Sequence, residues 1–155
     1  MAKTKEGLKV KGAFRLQIVE GDKIVGDSGW HENQITNLGF NQYLVSTLGA
    51  IAGSKQVSHI ALGTGGVPNA TDTTLAGEVQ KRAALTAATS STSKALQCTA
   101  TFNSSDSFVT ATANLSNIGL FNTSSGGTLF AGNTYSSSSC ATNQNVNVTY
   151  TISFA

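Results

Sequence analysis

The sequence predicts a mainly β protein: an antiparallel β-sandwich or jelly-roll-like domain carrying one amphipathic helix. Three observations predict it. From residue 95 on, apolar and polar residues alternate in short runs, the cleanest being Val146, Val148, Tyr150, Ile152 and Phe154. Gly- and Ser-rich turns separate these runs at short spacing. One segment, about residues 37–51, changes to a helical period. At 155 residues the chain is one domain's worth, and it can bury a core without disulfide staples.

The elements follow in order. Residues 12–20 alternate Phe14, Leu16 and Ile18 against Arg15 and Gln17, which is a half-buried strand. Gly21-Asp22 makes a turn, Lys23 to Gly26 return as a partner strand, and Trp30 closes the hairpin region. Phe40, Leu44, Leu48 and Ile51 recur at helical spacing, with Thr36 or Asn37 to cap the start and Gly49 and Gly53 to end it. Residues 57–63 form a further strand. A long loop follows, with a helical turn opened by Asp72, and then a strand around Leu85. The hydroxyl run from Thr89 to Ser93 reads as a loop. Leu96, Cys98, Ala100 and Phe102 alternate, as do Phe108, Thr110, Thr112 and Asn114. Ile118 to Phe121 and Thr128 to Ala131 flank a Ser-Ser-Gly-Gly turn as a hairpin.

Composition excludes several classes. No apolar run approaches the ~18 residues of a membrane span. A net charge of +2 gives no compositional footprint for nucleic acid. Charged residues are only 12% of the chain, with 18 Ser and 20 Thr in their place. After Lys94 the one charged side chain is Asp106. A surface this neutral offers little repulsion to neighbours and suits close, repeated packing. The first eleven residues carry Lys3, Lys5, Lys9 and Lys11 against Glu6, a basic arm ahead of a single domain at 12–155. No apolar stretch follows the lysines, so no secretory signal is read and the chain is expected to fold in a cytoplasm. The Asn-x-Ser/Thr triplets then reflect an Asn-, Ser- and Thr-rich composition rather than glycosylation. Cys98 and Cys140 are expected as reduced thiols, with a cross-strand disulfide as the alternative.

Candidate chemistry is sparse. Gly63-Thr64-Gly65-Gly66 resembles a phosphate loop at first sight. It lacks the Gly-Lys-Ser/Thr ending, and Pro68 interrupts the helix that should follow. Its glycines serve a tight loop and close backbone approach. Asp27, Ser28, His31 and Glu32 are too close in sequence for a hydrolase triad. Two cysteines with His31 and His59 show no zinc spacing. Asp72 and Glu78 read as a cap and a partner of Lys81 or Arg82. No enzymatic activity, cofactor or metal is expected.

Three segments carry a resemblance. They are Asn33 to Phe40, with the pattern N-x-I-T-N-x-G; Ile60 to Glu78, with GTG, Pro68 and Thr71-Asp72-Thr73-Thr74-Leu75; and Asn117 to Ala131, with IGLF and GGTLFA. In this order, with the closing run NVNVTYTISF, the chain resembles a group of small structural proteins of tailed bacteriophages over residues 12–155. Gly132 stands where that group often has an Arg, so a partner contact through that Arg has no counterpart here.

The resemblance implies a virion structural protein made in the host cytoplasm, with capsid decoration or cementing as the preferred role. The alternatives are a tail tube, collar or fibre-base subunit, or a carbohydrate-binding fibre module using Trp30 and Tyr43. The implied partners are further copies of the chain and a major capsid or tail protein, with no membrane and no nucleic acid. The candidate interface is Lys3, Lys5, Lys9, Lys11, Gly63, Thr64, Gly65, Gly66, Pro68 and Asp72. Within it, the Gly63–Leu75 loop is expected to contact a neighbour and the lysines to dock on an acidic one.

Overall fold

In β1 (Val10–Glu20) every second residue from Gly12 to Ile18 is buried, as the alternation requires. The computed structural model describes Gly7, residues 9–90 and residues 94–155. A turn at Gly21, held at φ +60, lets β2 (Lys23–Asp27) return beside β1. The two-residue strand β3 (His31–Glu32) also pairs with β1. The chain then crosses to a second sheet, where β4 (Gln34–Ile35) pairs with β10 (Ala131–Cys140). The first sheet runs β2-β1-β11-β8-β7, with β7 at Thr86–Ser90, β8 at Ala95–Phe102 and β11 at Asn145–Phe154. The second runs β4-β10-β9-β5-β6, with β5 at His59–Gly63, β6 at Ala83–Ala84 and β9 at Ala113–Phe121. Every named pairing is antiparallel, and the two sheets form a sandwich.

The main core lies between the sheets. Phe14 stacks on Tyr150 with ring centroids 5.7 Å apart, and Phe102 meets Phe108 at 5.3 Å. Leu115, Ile118 and Leu120 reach the same core from the second sheet. A smaller core lies on the outer face of the second sheet. There Ala61 and Phe121 are covered by Leu75 and Leu129 from two loops. Gly119 leaves room for this cover, since a Cβ there would lie 2.7 Å from the Leu129 side chain.

Helix α1 comprises a π-helical segment, Gly39–Val45, that continues as a turn of α-helix, Ser46–Leu48. Thr36 starts it as expected, its Oγ1 accepting a bond from the Gly39 N–H at 2.9 Å. The expected apolar face is not a buried face. Leu44 packs partly buried against the core, but Phe40 is 42% exposed and Leu48 89%; Ile51, 56% exposed, lies beyond the helix, and Tyr43 is the buried side chain. The wider π winding explains the difference. It sweeps side chains through a smaller angle per residue, so a row spaced for the α period fans away from the core.

Four local expectations are corrected. Asp72 opens no helical turn; its carboxylate accepts from the Asn69 N–H at 2.8 Å and closes a tight turn. Thr89 and Ser90 belong to β7, paired with Leu96 and Ala95, while residues 91–93 of that run lie outside the described residues. The alternation from Phe108 to Asn114 is no strand until Ala113. A 3-10 turn at Ser104–Asp106, with Ser107 at φ 52, redirects the chain so that Phe108 and Val109 are both buried. The hairpin return is there, with Phe130 N–H bonded to Leu120 O and Ala131 opposite Leu120, but Leu129 N–H turns aside to Thr73 O and β10 starts only at Ala131.

Candidate functional site

The Gly63–Leu75 loop is built from the end of β5 outward. Val79 N–H donates to Leu62 O at 2.9 Å and Thr64 N–H to Gly77 O at 3.1 Å, so the loop returns beside its own start. Between these anchors it lies over the outer face of the second sheet. Asn117, buried on β9, donates through Nδ2 to Gly66 O at 3.1 Å and to Ala76 O at 2.9 Å. Ser116 Oγ donates to Gly65 O at 2.9 Å. The loop reaches two further segments, because Asn37 N–H donates to Ala70 O at 2.7 Å and Leu129 N–H to Thr73 O at 2.9 Å. Pro68 is buried, 3.2 Å from where a Cβ on Gly132 would sit. Gly63 and Gly65 are needed for close approach, since a side chain at either would strike the Ala76 carbonyl. The inner side of the loop is therefore committed to its own fold, while Thr64, Gly66, Val67, Asn69, Thr71 and Thr73 face outward.

Arg82 fastens this assembly. Its side chain is 4% exposed. Nε donates to Glu78 Oε1 at 2.5 Å and a terminal nitrogen to Oε2 at 3.0 Å. The other terminal nitrogen donates to the carbonyls of Thr123 at 2.9 Å and Gly126 at 2.8 Å. The guanidinium lies 3.6 Å from the centre of the Phe121 ring. Beside it, Asn122 Oδ1 accepts from Thr128 N–H at 3.0 Å and from the Tyr43 hydroxyl at 3.2 Å. The Tyr43 hydroxyl also donates to Thr128 O, and burial raises its pKa well above the usual phenol range. One network thus joins α1, Glu78 just beyond the Gly63–Leu75 loop, and the turn at residues 122–128. The Glu78–Arg82 pair was legible from the sequence. The carbonyls of residues 123 and 126 were not, because nothing in the local pattern points at residues some forty positions away.

The chain matches no known protein family, curated protein or solved structure.

The remaining sequence candidates do not join this assembly. Lys9 and Lys11 are exposed but sit in the sheet: Lys9 exchanges backbone bonds with Ala155, and Lys11 pairs with Ser153. The final residues of the expected arm are thus strand, while Lys3 and Lys5 lie outside the described residues. Trp30 is 55% exposed and Tyr43 only 3%, so the two rings offer no shared open face for a sugar. Asp27 is taken up by Arg15, whose Nε donates at 3.0 Å, and by Gln17 and the Gly29 N–H. These bonds hold its carboxyl far below the usual carboxylate range, the Arg15 bond most of all. Ser28 Oγ accepts from Leu16 N–H and donates to Gly29 O, and His31 Nε2 contacts Ser28 O at 2.8 Å. Ser58 Oγ lies 2.8 Å from His59 Nδ1, and no carboxylate bonds to that ring among the described residues. Burial, with Arg82 nearby, lowers the His59 pKa. Cys98 and Cys140 are free and buried, one in each sheet. Among the described residues no group of His, Cys, Asp and Glu could hold a metal ion.

Proposed function

We propose that the chain is a structural subunit of a bacteriophage particle, acting as a capsid decoration or cement protein that binds neighbouring particle proteins and further copies of itself. The observation that carries this reading is that the three segments of the resemblance, far apart in sequence, fold into one block. Asn37 bonds to Ala70, Thr36 Oγ1 to Leu129 O at 2.6 Å, and Leu75 packs against Phe121 and Leu129. Such a pattern is a structural signature: it specifies how loops are laid over a sheet. The outward side of the Gly63–Leu75 loop carries hydroxyl and amide groups and one large exposed apolar residue, Val67, 56% exposed. The mechanism is passive. A preformed, weakly charged loop surface buries area against a neighbour, and symmetry multiplies a modest contact per copy.

Immunogold labelling of purified particles carrying the chain tests the reading. Label over the capsid, with reduced occupancy for the exposed-loop variant Val67→Asp, is the expected result. Label confined to the tail transfers the role to a tail subunit, and particles without label overturn the reading.

A further inference from the structure

A groove of about 730 Å³ opens at one end of the sandwich, between α1 and the margin of the first sheet. Its sheet side is formed by Val10, Ile152 and Phe154, and its helix side by Tyr43, Leu44 and Leu48. The volume falls within the roughly 300–1,000 Å³ typical of small-molecule sites. The polar lining residues are few, and they come from α1 and the segment after it: Thr47, Lys55 and Gln56. Among the described residues Lys55 is the one charged residue on the groove and forms no ion pair. The Tyr43 hydroxyl is already bonded to Thr128 and Asn122, so the ring presents carbon to the groove. The π-helical wall is itself notable, because π segments concentrate at functional sites.

We propose that this groove binds a free fatty acid, with the acyl chain lying along the apolar walls and the carboxylate paired with Lys55. An apolar cleft with one cation among its described lining residues matches an amphiphile of opposite charge in both respects. A second copy of the chain fits less well. The exposed patch on the helix and just beyond its end amounts to four side chains, Phe40, Val45, Leu48 and Ile51, against the roughly 800 Å² per partner of a standard interface. A symmetric contact would also bring two unpaired Lys55 ammoniums into one interface. The inference does not depend on the particle reading, because it concerns a different face of the molecule.

Titration calorimetry of the full chain with dodecanoate, below its micelle concentration, tests the proposal, with dodecanol as the uncharged control. Saturable binding of one dodecanoate per chain is expected. Leu48→Asp, at a side chain 89% exposed, should keep the fold by circular dichroism and weaken binding by at least about tenfold. Lys55→Gln should weaken dodecanoate about tenfold while leaving dodecanol unchanged. Three results overturn the proposal. One is no dodecanoate binding up to millimolar concentration. Another is a Lys55→Gln variant with unaltered dodecanoate affinity. The third is binding to anionic phospholipid vesicles, or a dimer in sedimentation, that Leu48→Asp abolishes and dodecanoate does not compete away.

Discussion

Ala50 closes helix α1 with φ at 49, a left-handed conformation that places its Cβ against the following carbonyl. The sequence draws attention to Gly49 and Gly53 as terminators, yet Gly49 has φ −86 and needs no special freedom. Ala50→Gly should therefore stabilise the protein by about 0.5–1 kcal/mol, the strain relieved exceeding the entropy gained by the unfolded chain. A rise in the urea midpoint at unchanged slope is the expected readout. Residue-scale features were legible where a side chain acts on its own neighbourhood. Thr36 capping Gly39 is such a case. So is the turn at Gly21. Ala50 was illegible because an alanine in a left-handed position is imposed by the chain around it, not by its own preference.

At the level of elements, strands read well and the helix and the long loop read badly. β1, β8 and β11 each bury one face, so period two appears in the sequence. The C-terminal half of β9 is buried on both faces, and its run from Asn117 to Phe121 carries no alternation to read. The cause is the second cover, Leu75 and Leu129, which comes from loops. The same cover explains why the glycines at Gly63 and Gly65 looked like a site. Glycine marks close approach whether the approaching group is a phosphate or, as here, the chain's own Ala76 carbonyl. Arg82 is the element that makes this cover rigid. Arg82→Lys keeps the charge and loses the planar fork, so it cannot reach Glu78 and the carbonyls of Thr123 and Gly126 together. A loss of about 2–3 kcal/mol is expected, with Arg82→Ala costing more because Glu78 is left unpaired. Thermal unfolding of the two variants beside the parent chain measures the difference.

For the molecule as a whole, buried acids that ionise at high pH set the expected pH response. Burial pushes the Cys98 thiol up to about 11. It also raises Cys140, Tyr43, Tyr135 and Tyr150. Below about pH 8.5, the pKa of a free thiol, folded and unfolded chains both hold the thiol protons and pH has no leverage through these groups. Above it the unfolded chain releases protons that the folded chain retains, so stability falls as pH rises towards 11. Above about pH 10, where free phenols ionise, the tyrosines steepen the decline. Unfolding free energies from pH 7 to 10.5 should show this fall, with a shallower slope for Cys98→Ala between 8.5 and 10. A flat profile in the parent chain would overturn the expected fall, and an unchanged slope in Cys98→Ala would remove burial of that thiol as its cause.

The pairing of β1 with β11 sets Val10 opposite Phe154, and β11 is the central strand of its sheet. A growing polypeptide leaves the ribosome from its N-terminus, so β1 has no permanent partner on that side until Asn145–Phe154 have been synthesised. β8, on the other flank of β11, waits in the same way. Folding of the first sheet therefore waits for β11 and must close the long loop between Glu20 and Asn145, the kind of nucleation that is slow in β proteins. Until then the edge of β1 that β11 will pair stays open to chaperones and to other nascent copies. Truncation before Asn145 should accordingly leave the chain without cooperative unfolding in a thermal scan, and refolding of the full chain from urea should take milliseconds to seconds rather than microseconds.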